Sequence, residues 1–285
     1  MATLTIAGLA LSGDKTSTTG FYFRNPIDWE SLTDSKSDVN ERAQADGAFG
    51  VAEDYRSSAA ISVDGWYRGT DRADALAAKT ILKAALGKGL PATAVMDDID
   101  GRRSRVVSIR SLPIDDNRKS RIFTFTIHMI ATDPLMYGDT ITFDAEPRVS
   151  GGGLLFPLGT TATKYWDFGA DGTSGRITVT NAGSAATWPR VRARGGMGEG
   201  FIAACRETGE TVEFDRQIPA GSEVTINQRT GTASIDGESN DVSGFLTGRD
   251  FFAVPAGATR NIQFTVLGAK TGTPGFSIDI APAYL

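Results

Sequence analysis

A polar–apolar alternation that ends at an Asp-Pro pair is the strongest constraint on the fold of this chain. In the segment Arg121–Gly138, RIFTFTIHMIATDPLMYG, every second residue from Phe123 to Ala131 is apolar. A period of two is typical of a β-strand with one buried side and one polar side. The strand is expected to end at Asp133-Pro134, because proline lacks a backbone N–H and restricts the residue before it. This segment therefore marks the end of a β-rich domain.

A glycine-rich stretch, Ser150–Gly153, follows this strand and suggests a flexible connection. We predict a first domain over residues 1–145, a linker at about 146–153 and a second domain over residues 154–285. Two domains of roughly 140 residues are each large enough to bury a core of their own.

The first domain contains one predicted helix, Ala73–Leu86. Asp71 is suited to cap its N-terminus, and Gly87 and Gly89 with Pro91 beyond them end it. Its apolar residues cover a broad arc that we expect to face the core, and its basic residues form a narrow stripe on the opposite side. The apolar set is Ala77, Ile81, Leu82, Ala84, Ala85 and Leu86, and the basic set is Arg72, Lys79 and Lys83.

A β-hairpin is predicted directly after this helix. The strands Ala92–Met96 and Arg105–Arg110 flank the acidic turn Asp97–Gly101. A helix lying across a small, mostly antiparallel sheet or barrel makes the first domain α+β.

The second domain shows no helical periodicity and is predicted to be all β. Turn signals such as Asn181-Ala182-Gly183 and Asp236-Gly237 separate its short strands. Many short strands at this spacing indicate a β-sandwich of jelly-roll type, so the chain as a whole is mainly β. The predicted strands are Gly175–Val179, Arg190–Arg194, Phe201–Ala204, Thr211–Phe214, Glu223–Ile226, Thr232–Ile235, Arg260–Val266 and Phe276–Ile280.

Composition argues against several classes of protein. The net charge of −5 disfavours a nucleic-acid binder, since phosphate recognition needs a basic surplus. No apolar run approaches the ~20 residues that span a bilayer. The N-terminus, MATLTIAGLALSG, lacks the basic region of a signal peptide, so we expect synthesis in a cytosol without membrane insertion.

The chain offers little equipment for catalysis. His128 is the only histidine, and no Gly-x-Ser-x-Gly segment supplies a nucleophilic serine. Cys205 is the only cysteine and follows an apolar strand, which is typical of a buried thiol. One histidine and one cysteine also exclude the usual zinc constellations. We expect a hydroxyl partner for His128 on its strand face.

The acidic turn Asp97–Gly101 has two possible functional interpretations, a calcium-binding loop or a pair of catalytic carboxylates. An EF-hand alignment that uses Asp98 and Asp100 places Met96 and Val107 at the first and last ligand positions, where neither supplies a side-chain oxygen. Nothing in the turn raises the pKa of one carboxyl group above the others. We predict an exposed acidic turn, no metal, no cofactor and no catalytic residue.

The order of features resembles the distal tail protein family of long-tailed, non-contractile bacteriophages. The most specific likeness is the closing strand that runs into Asp133-Pro134-Leu135-Met136-Tyr137, similar to the family's Asp-Pro-x-x-Tyr. The likeness covers nearly the whole chain, including Ile61–Gly65 before the helix and Trp188-Pro189 and Val254–Gly257 in the second half. Ile226-Asn227 stands where the family usually has an Ile-Asp pair.

The resemblance implies a structural protein of the virion, located at the tail tip, and no enzyme. Members of the family form hexameric rings through the N-terminal domain and join the tail tube protein to the tail-tip hub. Their galectin-like C-terminal domains project outward, where some attach receptor-binding proteins or bind glycans of the host surface. The implied partners are therefore copies of the chain itself, the tube, the hub and receptor-binding proteins.

A charge split inside the first domain suggests where subunits meet. Residues 28–54 hold eight acidic and two basic side chains, and residues 102–121 hold seven basic and two acidic ones. Oppositely charged patches on one subunit suit a contact in which two different surfaces meet and close a ring. The candidate interface residues are Arg102, Arg103, Arg105, Arg110, Arg118, Lys119 and Arg121.

Two other functions stay open. The second domain can be a carbohydrate-binding β-sandwich that serves host attachment, with Tyr165, Trp166 and Trp188 as stacking platforms for sugar rings. A tail enzyme that cleaves glycans with acidic residues is the other.

Overall fold

The computed structural model describes residues 2–13, 19–24, 26–36, 41–44, 46, 49, 55–148 and 172–285. Contacts between Cα atoms group the chain into two units. The first unit comprises Met1–Asp139 with Tyr284–Leu285, and the second comprises Thr140–Ala283.

The elements of the described residues follow one another in this order along the chain. They are β1 Thr3–Ile6, β2 Leu9–Ser12, β3 Gly20–Phe23, β4 Ala59–Arg68, α1 Arg72–Leu86, β5 Ala92–Asp98, β6 Gly101–Ser111, β7 Ile114–Asp115, β8 Ile122–Ala131, β9 Met136–Tyr137, β10 Ile141–Ala145, β11 Arg176–Thr180, β12 Arg190–Arg194, β13 Gly200–Cys205, β14 Thr211–Phe214, β15 Glu223–Asn227, β16 Thr232–Ile235, a 3₁₀ turn at Ser243–Phe245, β17 Leu246–Arg249, β18 Thr259–Leu267, β19 Gly275–Ile280 and β20 Ala283–Tyr284.

The division into units differs from the predicted domain boundaries in two places, at strand β10 and at Tyr284–Leu285, which belong to the first unit. Strand β10 pairs with β19 from Ile141↔Ile280 to Ala145↔Phe276, so its residues belong to the second unit and not to the predicted first domain. Most of the predicted linker, residues 149–153, lies outside the described residues.

The first unit is a closed barrel of seven strands. Its order is β6-β5-β1-β2-β3-β4-β8, and β8 pairs back onto β6 to close the circle. The β2–β3 pairing, through Ser12 and Tyr22, is parallel, and the other pairings in the barrel are antiparallel. Strand β7 adds to β8, while β9 and β20 extend the sheet beside β6. Closure gives each of the seven strands a partner on both sides, which removes exposed backbone edges.

Strand β8 confirms the alternation on which the sequence argument began. Its apolar side chains are buried, from Phe123 at 2% exposure to Ala131 at 0%, while Thr124 and His128 are exposed. It pairs with β4 along its whole length. Gly65 on β4 lets the two strands lie close together, because a Cβ there would come within 2.5 Å of the Phe125 ring.

The helix α1 is capped as predicted. The Asp71 carboxylate accepts a hydrogen bond from the Asp74 backbone N–H at 2.9 Å, and the Gly87 N–H donates to the Lys83 carbonyl at 2.8 Å. The first interaction satisfies one of the free amides at the helix start. No helix in the described part of the chain is long and apolar enough to span a membrane.

The predicted hairpin is also confirmed, with longer strands than expected. Asp98 pairs with Gly101, so Ile99 and Asp100 form a two-residue turn between β5 and β6. Strand β6 pairs with β8 only from Val107 onwards, where Val107 lies opposite Ala131. The six residues of β6 before Val107 therefore lie beyond the end of β8, where Ser104 pairs with Tyr137 of β9, while β5 stays paired with β1 as far as Asp97.

The second unit contains two five-stranded sheets that share one core. Their orders are β10-β19-β12-β15-β16 and β11-β18-β13-β14-β17, with antiparallel pairing throughout. Four buried rings, Phe201, Phe214, Phe264 and Phe276, lie at the centre of that core. Each of the eight predicted strands is present, with ends that differ by no more than one residue. Strands β10 and β17 were not predicted.

Candidate subunit interface

The seven predicted interface residues do not form one patch. Arg102 and Arg103 lie on the hairpin near its turn, and Arg105 and Arg110 lie further along the same strand, β6. The other three, Arg118, Lys119 and Arg121, lie in the connection between β7 and β8 and are exposed; we call them the basic loop.

The two hairpin arginines already have partners within the first unit. Arg102 Nη1 lies 3.3 Å from a carboxylate oxygen of Asp139, and both side chains are mostly exposed. The Arg103 guanidinium lies 3.7 Å from the centre of the Tyr284 ring, a cation–π contact. An exposed ion pair of this kind contributes little to stability and leaves both groups available to a partner.

Arg105 is buried, which contradicts its assignment to an exposed interface. Its side chain is 2% exposed and lies 5.7 Å above the Trp29 ring. Residues alternate along a strand, and Arg105 shares the inward side of β6 with Val107. Its Nε and Nη1 atoms have no hydrogen-bond partner among the described residues, and burial lowers its pKa from the ordinary value. Arg105 cannot reach a neighbouring subunit without opening the barrel.

The basic loop borders the N-terminal end of α1. Arg121 Nη1 donates to the Thr70 carbonyl at 3.5 Å, and Arg72 Nη1 on the helix donates to the Ser120 carbonyl at 3.1 Å. These contacts hold the three exposed basic side chains beside the first turn of the helix.

Asp116 determines which side of α1 faces the barrel. Its carboxylate accepts two hydrogen bonds from Arg72, at 2.6 and 2.9 Å, and one from Lys79, at 2.5 Å. Hydrogen bonds from these two cations hold the pKa of Asp116 well below its ordinary value. Two residues of the predicted basic stripe, Arg72 and Lys79, are therefore paired with an acidic residue of the β7–β8 connection, while Lys83 is exposed.

The apolar arc of α1 is consequently oriented differently from the prediction. Ala75, Ala78, Leu82 and Leu86 are the residues that the helix buries. Three residues expected to face the core, Ala77, Ile81 and Ala84, are exposed instead. Together with Leu76 and Thr80 they form a continuous exposed strip, which we call the apolar helix face; Leu76 is 43% and Ile81 56% exposed.

The turn of the β5–β6 hairpin carries an exposed isoleucine inside an acidic group. Ile99 is 99% exposed, and carboxylate oxygens of Asp98, Asp100 and Glu30 lie within 4.8 Å of one another beside it. None of these three carboxylates forms an ion pair with a described residue. Oxygen ligands of this type suit Ca²⁺, although exposed acidic groups are common without an ion. We call Asp98–Gly101 the hairpin tip.

The residues weighed for catalysis lie apart from one another. The Ser62 hydroxyl lies 2.8 Å from His128 Nδ1 across the β4–β8 pairing, so the histidine has a hydroxyl partner on that face. A working Ser–His pair needs a third group that orients the imidazole, and no described residue hydrogen-bonds to its other nitrogen. Cys205 is buried, with its Sγ 3.6 Å from a Glu207 carboxylate oxygen.

The predicted glycan platform is represented here by Trp188 alone, because Tyr165 and Trp166 lie outside the described residues. Trp188 is 41% exposed. Its neighbour Thr187 exchanges backbone hydrogen bonds with Val254, at 3.0 and 2.8 Å, which holds the indole on a fixed segment. A groove of about 1110 Å³ in the same unit is lined by charged side chains, among them Arg194 and Glu223, but not by Trp188.

Comparisons with known proteins show that this chain resembles solved structures in its fold, at low sequence identity. No protein-family model matches the chain, and no curated protein matches it significantly. Among solved structures, the chain is similar to the Dit protein (gp 19.1) of phage SPP1, described as a paradigm of the hub adsorption apparatus in phages that infect Gram-positive hosts, with a TM-score of 0.64, 12% identity and 99% of each chain covered. It is also similar to a chain of the phage P2 baseplate in its activated conformation, with TM-scores of 0.58 in the Ca structure and 0.52 in the Sr structure, 10% and 9% identity, and 98% of each chain covered. At these identities the likeness establishes a shared fold over the whole length.

Proposed function

We propose that the chain is a structural protein of a phage virion that forms a ring at the distal end of the tail. The observation that carries the proposal is the shared fold with a phage Dit protein and a phage baseplate chain, which extends over both units. In this role the first unit builds the ring, of six copies, and connects the tail tube to the tail-tip hub.

The distribution of exposed apolar side chains supports assembly through the first unit. Of the large apolar residues that are exposed in the described part of the chain, ten lie in the first unit and three in the second. Monomeric proteins seldom expose contiguous apolar surface unless it binds a partner. The basic loop and the acidic hairpin tip add opposite charges on separate parts of the same unit, which suits a ring-closing contact.

The second unit, in the same proposal, is a galectin-like jelly roll that projects from the ring towards receptor-binding proteins. The proposed role requires no catalysis, no metal and no cofactor. Its partners are other copies of the chain, the tube protein, the hub and the receptor-binding proteins.

The full-length chain at high concentration and low salt tests the proposal. We expect native mass spectrometry to show six-subunit species and negative-stain images to show rings with a central opening. Immunogold labelling of virions that contain the chain should place it at the distal end of the tail. A monomer at every concentration together with label along the tube or on the head would contradict the proposal.

A second candidate, a carbohydrate-binding module for host attachment, is favoured by the exposed Trp188 on its fixed segment. An exposed indole offers a flat apolar face on which a sugar ring could stack. A glycan array probed with the full chain and with Trp188→Ala tests it: binding without hydrolysis that the substitution abolishes would support the module. Equal binding by both proteins would exclude Trp188 as the platform.

A further inference from the structure

The helix α1 buries one apolar stripe and exposes a second one. The buried stripe, Ala75, Ala78, Leu82 and Leu86, packs in the core of the first unit, as in an ordinary surface helix. The apolar helix face has no partner among the described residues and leaves Leu76 and Ile81 in solvent, where a surface helix ordinarily carries polar side chains. Ion pairs of Arg72 and Lys79 with Asp116, in the β7–β8 connection, support this orientation.

The hairpin tip presents the complementary feature. Ile99 at the turn is almost wholly exposed, at 99%. A two-residue hairpin turn ordinarily carries polar residues such as Asn-Gly or Asp-Gly. An apolar side chain that is exposed at a hairpin turn adds nothing to the core of its own unit, so it can contribute to stability only when a partner buries it.

The two features lie on different parts of one unit. The helix packs against β4 and β8, whereas the hairpin extends past the end of β8. A contact between the tip of one copy and the helix of the next joins two different surfaces, and repetition of such a contact closes a ring.

The charges around the two surfaces are complementary. The carboxylates of Glu30, Asp98 and Asp100 cluster at the turn that carries Ile99, and none of them forms an ion pair with a described residue. Lys83 borders the apolar helix face, Lys88 lies just past the end of α1, and the basic loop lies beside its start. Docking would bring cations to three crowded carboxylates and reduce their mutual repulsion.

We propose that the hairpin tip of one subunit docks on the apolar helix face of a second copy of this chain, with Ile99 packed against Ile81 and Ala84. This inference deepens the proposed ring and rests on it. The acidic side chains of the tip then meet the lysines that border the helix.

Cysteine crosslinking of the full-length chain tests the contact. The native Cys205 is buried, so it gives little background. An Ile99→Cys chain is mixed with an Ala84→Cys chain of different mass and treated with a short bismaleimide. The control replaces the helix variant by Ser111→Cys, at the other end of β6, where the residue is also exposed. We expect a mixed dimer at least ten-fold more abundant than in the control.

A charge-introducing variant gives an independent readout. Ile99→Asp should weaken self-association at least ten-fold in sedimentation analysis, whereas Ile99→Leu should keep it; the tip is outside the core, so both should fold. Oligomers that form without the mixed crosslink, or dimers joined tip to tip by Ile99→Cys alone, would overturn this contact and leave the ring proposal standing. A chain that stays monomeric throughout would overturn both.

Discussion

The two units of this protein each bury one hydrophobic core, but they differ in the apolar surface that they leave exposed. In the second unit, the apolar side of each sheet faces one shared core, and only Ile141, Trp188 and Phe245 among its large apolar residues are exposed in the described part. The first unit has a comparable core but leaves ten such residues exposed, including two on the helix and one on the hairpin tip.

This difference supports the proposed assembly through the first unit, in which neighbouring copies would cover its exposed apolar side chains. A hydrophobic core stabilises a fold in proportion to the apolar area removed from water. The larger number of exposed apolar residues on one unit cannot be attributed to the average composition of the chain. It belongs to the local design of that unit, which the ion pairs of Asp116 illustrate.

The largest expected effect on stability comes from replacing a tightly packed glycine in one unit while the other unit keeps its sequence. A Cβ at Gly65 would lie 2.4 Å from the Phe125 ring and 2.7 Å from the Tyr22 carbonyl oxygen. A Cβ at Gly196, in the second unit, would lie 1.7 Å from the Thr271 carbonyl oxygen, at a φ of +82°. We expect Gly65→Val to destabilise the first unit and Gly196→Val the second, each by about 3 kcal/mol or more.

Differential scanning calorimetry of the two variants checks this prediction. Each variant should lower one thermal transition and leave the other near its original temperature. A common shift of both transitions in both variants would mean that the two units unfold as one, and the comparison between them would lose its basis.

A matched pair of isoleucines tests whether the exposed surface of the first unit serves assembly. Ile81 on α1 and Ile141 on β10 are 56% and 45% exposed. We expect Ile81→Ser to weaken self-association about ten-fold, equivalent to about 1.4 kcal/mol, and Ile141→Ser to leave it unchanged. Sedimentation equilibrium of both variants gives the answer, and equal losses would remove the distinction between the surfaces.

The buried arginine of the first unit tests the quality of its core. Two donor nitrogens of Arg105 have no partner in the part of the chain that the structure describes, and unsatisfied buried donors cost about 1–3 kcal/mol each. Replacing a buried charge by an apolar side chain of similar length is often neutral or stabilising. We expect Arg105→Met to raise the first thermal transition by a few degrees, and Arg110→Met, exposed on the same strand, to leave it unchanged. A large destabilisation by Arg105→Met would mean that the guanidinium contributes a necessary contact.

The sequence predicts this fold well where periodicity reports burial directly. The alternation in β8 and in the eight strands of the second unit survives into the structure, because a strand shows its buried side at every second residue. The short strands β1, β2 and β3 were missed, since four residues provide too few repeats to reveal a period.

The candidate interface was harder to predict because it depends on contacts between distant segments. The composition of α1 predicts one broad buried arc, but the helix buries only part of that arc, and Asp116, some forty residues later, pairs with basic side chains expected in solvent. Arg105 counted as one of seven basic residues, although strand alternation with Val107 would have placed it inside. Ile99 lies within the predicted acidic turn, and the sequence alone does not indicate that its side chain is almost fully exposed.

The smallest expected effect concerns acid stability and distinguishes the two units once more. The Asn261 backbone N–H, at 3.0 and 3.1 Å, and the Asn261 side-chain amide, at 2.8 Å, donate to the Glu207 carboxylate in the second unit. These bonds lower the pKa of Glu207 from 4.5 to about 2. A folded-state pKa below the unfolded value means that the carboxylate stabilises the fold fully above pH 4.5 and that this stabilisation is lost as the pH falls towards 2. Because Glu207 is exposed, we expect no more than about 1 kcal/mol from it.

Urea unfolding tests this expectation between pH 5 and pH 2. The unfolding free energy of the second unit should fall less steeply with decreasing pH in Glu207→Gln than in the unmodified chain. Identical slopes would show that these hydrogen bonds do not couple to folding.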